Sequence, residues 1–318
     1  MSETKLILVI TNRTDYTADL VITRLIERGL PYIRFNTEDF PFYAKSSFTT
    51  AKSSLILEKA VREVDFSDVK SVWYRRPEGP SFPADFNRDS SDFVTRESRE
   101  FLQGIWRCLD CVWVNHPDKI RLAENKIEQL RRMTAMGLKI PNTLITNDPE
   151  SARDFCKSNS NNVVAKTLRA SHGTINEEDY VIYTNLMGPE SVQLLDTVRY
   201  SPVIFQERIE KVSDVRVTVV GPEVFATEIH SQGNDSAKID WRRETLALQH
   251  TAIDLPSQVK KNCMQLVTSY GLIFGALDLI RTRSEYVFLE LNPNGQWAWI
   301  ESLTGQPISN KLADVLAS

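Results

Sequence analysis

The sequence predicts an α/β protein built from packed α+β lobes, and three observations carry that expectation. KLILVIT, a helical stretch and YIRFNT follow one another at the start, which reads as a β-α-β unit and so as the beginning of an open sheet. Short strand and helix patterns then alternate from about residue 138 to residue 209. Finally, two β runs, DVRVTVVG and EVFATEIHS, are joined by Gly221-Pro222, and two late strands, GALDLIRT and YVFLEL, come after a further helix.

The first unit takes in residues 1–115. Its helix runs from about Asp15 to Arg28 with Gly29 as the stop, and weak strands follow near 47–50 and 54–58. VKSVWYRRP is apolar until Trp73-Tyr74 and then ends in Arg75-Arg76-Pro77. A Pro-, Ser- and Asp-rich loop leads to a helix over about 93–108 and the short strand VWVN. The second unit, 116–202, opens with helical periodicity that stops at Gly137. LKIPNTLIT alternates as a strand, and a helix at about 149–158, the strand NVVAKTL, a small-residue loop at 171–174, the strand YVIYTN and a helix near 189–197 complete it. VIFQERI starts the third unit, 203–318, whose hairpin, helix after Pro256 and late strands lead into NPNGQWAWIE, with Trp297, Trp299 and Ile300 expected in the core.

A chain of 318 residues with 42% hydrophobic side chains can bury a large core. Net charge is −4, with acidic and basic residues interspersed, so no nucleic-acid footprint is expected. The apolar run at 6–10 is too short for a signal peptide or a membrane span, and a cytoplasmic protein is expected. Cys108, Cys111, Cys156 and Cys263 are too scattered for a disulfide framework. Cys108-x-x-Cys111 is half of a zinc pattern with no second Cys/His pair nearby, and reads as ordinary thiols.

Nucleotide chemistry requires cations for phosphates, a slot for the base and hard oxygen ligands for magnesium. Neither G-x-x-x-x-G-K-[ST] nor G-x-G-x-x-G occurs, so phosphates need another holder. Lys166 lies in the apolar strand VVAKTL, where an ammonium needs a partner; Lys126, on a helix, reads by itself as part of a solvated face. Ser171-His172-Gly173-Thr174 is either a phosphate-covering loop or an ordinary hairpin. Asp278 lies in one late strand and Glu290 and Asn292 share a face of the next, because side chains repeat with period two. Three oxygen donors meet if those strands are neighbours, and buried acids then require either arginine and lysine partners or a divalent cation.

This order of residues, Lys126, Lys166, FQERI, Asp278 and Glu290-x-Asn292, resembles the ATP-grasp fold over roughly 116–318, with 1–115 in the place of the usual preceding α/β domain. WYRRP, Asp214-Val-Arg216, IDWRR and NPNGQWAWIE are similar to the branch that makes graspetides, the microviridin-type peptide macrocyclases. The resemblance implies ATP and Mg2+ as cofactors, phosphates held by Lys126 and Lys166, and a base-binding hinge at Gln206, Glu207, Arg208 and Ile209 with Lys211 beside it. It implies magnesium on Asp278, Glu290 and Asn292. It also implies that ATP phosphorylates a side-chain carboxylate of a precursor peptide, which a hydroxyl or amine of the same peptide then attacks.

An acceptor carboxylate held against the γ-phosphate calls for an arginine fork. Arg216 is the first candidate, with Asp214 near the nucleophile and Arg242, Arg75 and Arg76 behind it; the alternative for each arginine is a surface ion pair. Partners implied are a precursor peptide with leader and core, and a second copy in a homodimer. The leader is expected at an edge of the DVRVTVVG/EVFATEIHS hairpin together with the helix at about 257–270. Two other functions stay open: a ligase that adds amino acids to a protein or small acid, and a nucleotide-binding protein without turnover.

Overall fold

A computed structural model describes residues 5–51, 53–57, 62–169, 172–175 and 178–318. The first elements are β1 (Leu6–Thr11), α1 (Tyr16–Glu27), β2 (Tyr32–Asn36), β3 (Ala44–Phe48), β4 (Ser53–Leu57), β5 (Arg62–Asp65), β6 (Val69–Tyr74), α2 (Ser91–Arg107) and β7 (Val112–Val114). The sheet β2-β1-β6-β7 is parallel, and β1 is buried at every position, which is why it reads as a continuous apolar run. Asp15 caps α1 by accepting from Thr17 N–H, and Gly29, at φ 63°, ends it. The two weak strands fall at 44–48 and 53–57, and β5 makes a third in a separate antiparallel sheet. Their Ser- and Lys-rich alternation marks the register poorly.

The middle of the chain holds α3 (Pro117–Ala123), α4 (Lys126–Ala135), β8 (Thr143–Thr146), α5 (Pro149–Ser158), β9 (Val163–Lys166), β10 (His172–Ile175), β11 (Glu178–Val181), β12 (Asn185–Leu186), α6 (Pro189–Gln193) and β13 (Val203–Glu207). Here the sequence expectation needs correcting in three places. Helical periodicity to Gly137 is broken at Glu124-Asn125, because Asn125 caps a fresh helix by accepting from Glu128 N–H at 3.0 Å. Residues 138–142 form no strand; Pro141 lacks a donor, and pairing begins at Thr143. YVIYTN divides, since β11 pairs with β10 whereas β12 pairs with β9. The backbone of His172 and Gly173 pairs in the β10-β11 hairpin, one of the two forms expected for residues 171–174. Ser171 and the side chain of His172 lie outside the described residues.

The last part comprises β14 (Ser213–Val220), β15 (Glu223–Ile229), β16 (His250–Ile253), α7 (Ser257–Ser269), β17 (Phe274–Arg281), β18 (Tyr286–Asn292), α8 (Ala298–Thr304) and α9 (Ile308–Ala317). Its antiparallel sheet runs β16-β15-β14-β17-β18. Gly221 takes φ 56° in the β14-β15 turn. The hairpin has little free edge, because β16 pairs with β15 over Ala226–Ile229.

Two cores cover the two faces of this last sheet. On one, α9, absent from the sequence reading, joins Ile308, Leu312 and Leu316 to Ile7 and Trp73 of the first sheet, to Leu25 of α1, and to Val220, Phe274 and Trp297. On the other, Met133 of α4 and Leu266 of α7 pack against Val217, Leu277 and Leu291. The four-stranded sheet β12-β9-β13-β8 has its own core of Ala152, Cys156, Val163, Leu195 and Phe205. Trp297 and Ile300 are buried, whereas Trp299 is half-buried between Trp241 and His250.

Candidate functional site

A cleft lies between the β12-β9-β13-β8 sheet and the C-terminal sheet. It brings together Lys126, Lys166, Gln206, Glu207, Arg208, Ile209, Lys211, Asp214, Arg242, Asp278, Glu290 and Asn292. Val164, Tyr183 and Leu289 supply apolar walls that the sequence did not mark as functional.

The oxygen donors meet because β17 and β18 are hydrogen-bonded neighbours with Asp278 opposite Glu290 and Ala276 opposite Asn292. Asn292 Nδ2 donates to Asp278 Oδ2 at 3.1 Å and to Glu290 Oε1 at 3.0 Å. A half-turn of the Asn292 amide exchanges NH2 for C=O, and two carboxylates with one amide oxygen are the hard donor set that magnesium takes. These three residues fit the ion that the fold implies.

Both acids also have cationic partners. Lys126 Nζ donates to Glu290 Oε2 at 2.7 Å, and Arg216 Nη1 donates to Asp278 Oδ1 and Oδ2 at 2.9 and 2.8 Å. Burial opposes the Glu290 carboxylate, yet the Lys126 ammonium prevails and holds it well below the usual carboxylate range. Burial raises Asp278, with Glu290 adding to the rise and Arg216 opposing it.

Lys126 is aimed by a residue the sequence reading passed over. Gln129, one turn further along α4, donates from Nε2 to Leu291 O at 2.7 Å and accepts from Leu291 N–H at 3.0 Å. The amide thereby pairs with the outer edge of β18 as another strand would and docks the start of α4 over Glu290. A neutral amide with partners 162 positions away leaves no sequence signal.

Lys166 donates to Gln206 Oε1 at 2.6 Å, and Gln206 Nε2 donates to Thr143 Oγ1 at 3.0 Å. Burial lowers the Lys166 pKa, against the pull of Glu290 and Asp240. At the hinge, the Glu207 and Arg208 N–H groups donate to Asn142 O and Asn162 O, each at 2.9 Å. Ile209 N–H has no partner among the described residues and lies on the wall of the cleft.

Lys211 Nζ is engaged on both oxygens of Asp214 at 2.9 and 2.7 Å, with both side chains buried, and Ser231 Oγ donates to Asp214 at 2.6 Å. Burial raises the Asp214 pKa in spite of them. Arg242 pairs with Asp240, whose carboxylate raises the Arg242 pKa, and Arg242 and Arg243 stand over the Tyr183 ring. Asp240 Oδ2 accepts from Thr184 N–H at 2.9 Å, and Arg243 Nη2 donates to Asn185 Oδ1 at 2.8 Å. These contacts join the IDWRR loop to the opposite wall of the cleft.

Arg216 Nη2 donates to Gln296 O at 3.0 Å, so its fork is fixed from two sides. Gly295 permits this, since a Cβ there would stand 2.5 Å from Arg216 Nη2 and from Ala276 Cβ. Arg75 is buried, with Nε 2.9 Å from Asp15 Oδ2, and burial lowers its pKa to about 10. Arg76 is exposed, at φ 45°, and its guanidinium has no carboxylate partner among the described residues.

Residues 6–121 match the family described as the MvdD pre-ATP grasp domain, and residues 123–316 match the RimK-like ATP-grasp domain. A Chryseobacterium gregarium RiPP-associated ATP-grasp ligase, solved in complex with ADP and a leader and core peptide, is 31% identical with a TM-score of 0.90; the match covers 98% of this chain and 96% of that one. The macrocyclase MdnC of Microcystis aeruginosa MRC, bound with precursor peptide MdnA, is 28% identical with a TM-score of 0.87, covering 98% and 99%. A probable alpha-L-glutamate ligase of Mannheimia succiniciproducens is 23% identical over 201 residues, which are 63% of this chain and 65% of that protein. The chain thus spans less than two thirds of the length of the first curated relatives it matches. With both family matches laid over a cleft that gathers Lys126, Lys166, Asp278, Glu290 and Asn292, the chain belongs to the RimK-like ATP-grasp family and carries an MvdD pre-ATP grasp domain ahead of it.

Proposed function

We propose that the chain is an ADP-forming ATP-grasp ligase that activates Asp or Glu side chains of a ribosomally made precursor peptide as acyl phosphates. Ester or amide crosslinks within that peptide then follow. The observation that carries this reading is the convergence of Lys126, Lys166, Asp278, Glu290 and Asn292 on one cleft, beside an Ile209 N–H available to a base. Bound magnesium supplies charge neutralisation at the phosphates. Lys126 and Lys166 contact the phosphates; Gln206 to Ile209 form the hinge, with Lys211 behind it, and His172 and Gly173 lie on the hairpin that covers the phosphates. Arg76, whose guanidinium has no carboxylate partner among the described residues, takes the acceptor carboxylate in place of Arg216, the first candidate from the sequence, whose fork is engaged on Asp278; Arg216, Arg242 and Asp214 hold the surrounding charges in place. Arg75 supports this substrate side from the buried pair with Asp15.

The reading assigns 1–115 to the pre-ATP-grasp domain, 116–202 to the central subdomain and 203–318 to the C-terminal subdomain with the magnesium site. The leader docks in the groove between β15 and α7, lined by Val224, Ile253, Leu255 and Met264 with Lys260 and Lys261 at its rim. Such a groove suits an amphipathic helix with acidic flanks. A homodimer, a cytosolic setting consistent with four free thiols, and no role for nucleic acid or membrane belong to the same reading. No described helix is long and apolar enough to cross a membrane.

The test is mass spectrometry of the precursor with ATP and Mg2+: each ring removes one water, and ADP release tracks ring formation. Curated relatives named as glutamate ligases favour a second reading, addition of free amino acids, for which the product is heavier. ADP release absent with every peptide and every amino acid would leave a binding protein.

A further inference from the structure

Gln296, within NPNGQWAWIE, joins the N-terminal domain to the C-terminal sheet. Its Oε1 accepts from Thr17 Oγ1 at 2.8 Å and from Arg75 Nη2, while its backbone carbonyl accepts from Arg216 Nη2 at 3.0 Å. Thr17 belongs to the first turn of α1, and Arg75 follows β6, so both side-chain donors come from the N-terminal domain. Arg75 is held by Asp15, the cap of α1, which also accepts from Thr11 Oγ1 at 2.8 Å. The carbonyl side leads through Arg216 to Asp278 and the magnesium donors.

We propose that Gln296 is a positioning residue whose side-chain oxygen registers the N-terminal domain on the ATP-grasp sheet and so keeps Arg216 on Asp278. The proposal rests on the function given above. Three features support a positioning role. Oε1 serves two donors that are themselves fixed, one on a helix and one in a buried ion pair. Gly295, immediately before it, is the position where no Cβ fits beside Arg216, so the turn is seated at minimal clearance. And Pro293 O accepts from Asn115 Nδ2 at 3.1 Å, with Asn115 Oδ1 accepting from Ile273 and Phe274 N–H, so the same turn is tied at its other end to the segment joining the domains. A shift of the N-terminal domain therefore moves Gln296, and its carbonyl carries Arg216 with it.

Because Oε1 acts only as an acceptor, Glu and Leu at this position separate the proposal from simple packing. Gln296→Glu keeps an oxygen for both Thr17 and Arg75 and is expected to hold at least about half of wild-type kcat, whereas Gln296→Leu is expected to lose about tenfold in kcat with ADP affinity changed less than about twofold. Thr17→Val combined with Gln296→Leu is expected to be no worse than Gln296→Leu alone, since Gln296→Leu already removes the contact to Thr17. Thermal unfolding is recorded alongside: one transition is expected for all three proteins, because the core shared by α1, β6 and α9 persists, with the midpoint lowered in the Leu variant and near wild type in the Glu variant. Equal loss in the Glu and Leu variants, wild-type kcat in the Leu variant, or additive losses in the double variant would overturn the proposal. Should the wild type release no ADP with any peptide, the proposed function falls, and the junction stands or falls on the unfolding curves.

Discussion

Lys126 and Glu290, 164 positions apart in sequence, meet through a 2.7 Å contact between ammonium and carboxylate on the wall of the cleft. The pair is partly exposed, and its worth for stability is accordingly modest, on the order of 1 kcal/mol or less. Its weight falls on chemistry. Glu290→Gln is expected to keep the fold, seen as an unchanged circular dichroism spectrum, while ADP release drops by several kcal/mol of transition-state stabilisation, roughly 100-fold or more. Near-wild-type turnover would remove Glu290 from the metal donors.

Arg216 makes three directed contacts, two to Asp278 and one to Gln296 O. Lysine has the charge but not the planar fork, so Arg216→Lys is expected to recover little of the crosslinking lost in Arg216→Ala. Both side chains are largely buried, and leaving Asp278 unpaired should lower stability by about 3 kcal/mol in the Ala variant. Chemical denaturation and peptide mass spectra check the two halves separately.

Gly295→Ala is the mildest available change with the most local effect. Its Cβ would meet Arg216 Nη2 and Ala276 Cβ at 2.5 Å, so either the arginine or the strand must give way. Turnover is expected to fall about tenfold or more while nucleotide binding persists, to be measured as kcat and as the Kd for ADP.

Lys166 supplies a pH prediction. Burial lowers its pKa, so the free protein surrenders that proton at a lower pH than an ordinary lysine does. An anionic phosphate binds the protonated form. ADP affinity should hold below the lowered pKa and decline as pH rises through it, in calorimetric titrations from about pH 7 to about pH 10. Lys166→Met should be weaker throughout and flat over that range; an equal slope in both would assign the titration elsewhere.

Gln129→Ala tests how Lys126 is aimed. It leaves Leu291 N–H and O without their partner, at an expected cost of about 1–3 kcal/mol in unfolding free energy. The KM for ATP should rise as well, because the start of α4 comes loose from β18.

What the sequence disclosed follows from the range over which each pattern acts. Asp278, Glu290 and Asn292 were legible because alternation along a strand is local, and a pair of adjacent strands then brings them together. The partnership of Arg216 and Asp278 was not read, since it depends on β14 and β17 being register partners across 62 positions. Gln129, Gln296 and Asn115 are neutral amides that act through single contacts to remote backbone or side chains, and no periodicity marks them. Residues 138–142 misled because alternation outweighed the proline inside it, and α9 went unread among a polar surface and a short apolar stripe.

The shared core that α9 makes with α1 and β6 has a mechanical consequence. Ile308, Leu312 and Leu316 weld the N-terminal sheet to the C-terminal sheet, whereas the sheet carrying Lys166 and the hinge keeps its apolar cluster to itself. Two of its sheets are therefore expected to travel as one body, the anvil, and the third is the part left to act as a jaw. Across the mouth, the jaw is latched by Thr184 and Asn185 on Asp240 and Arg243, contacts of the kind that break and re-form at little cost. Any opening of the cleft would thus strain a polar latch rather than a packed interior, and would leave undisturbed the anvil that holds the acids in register.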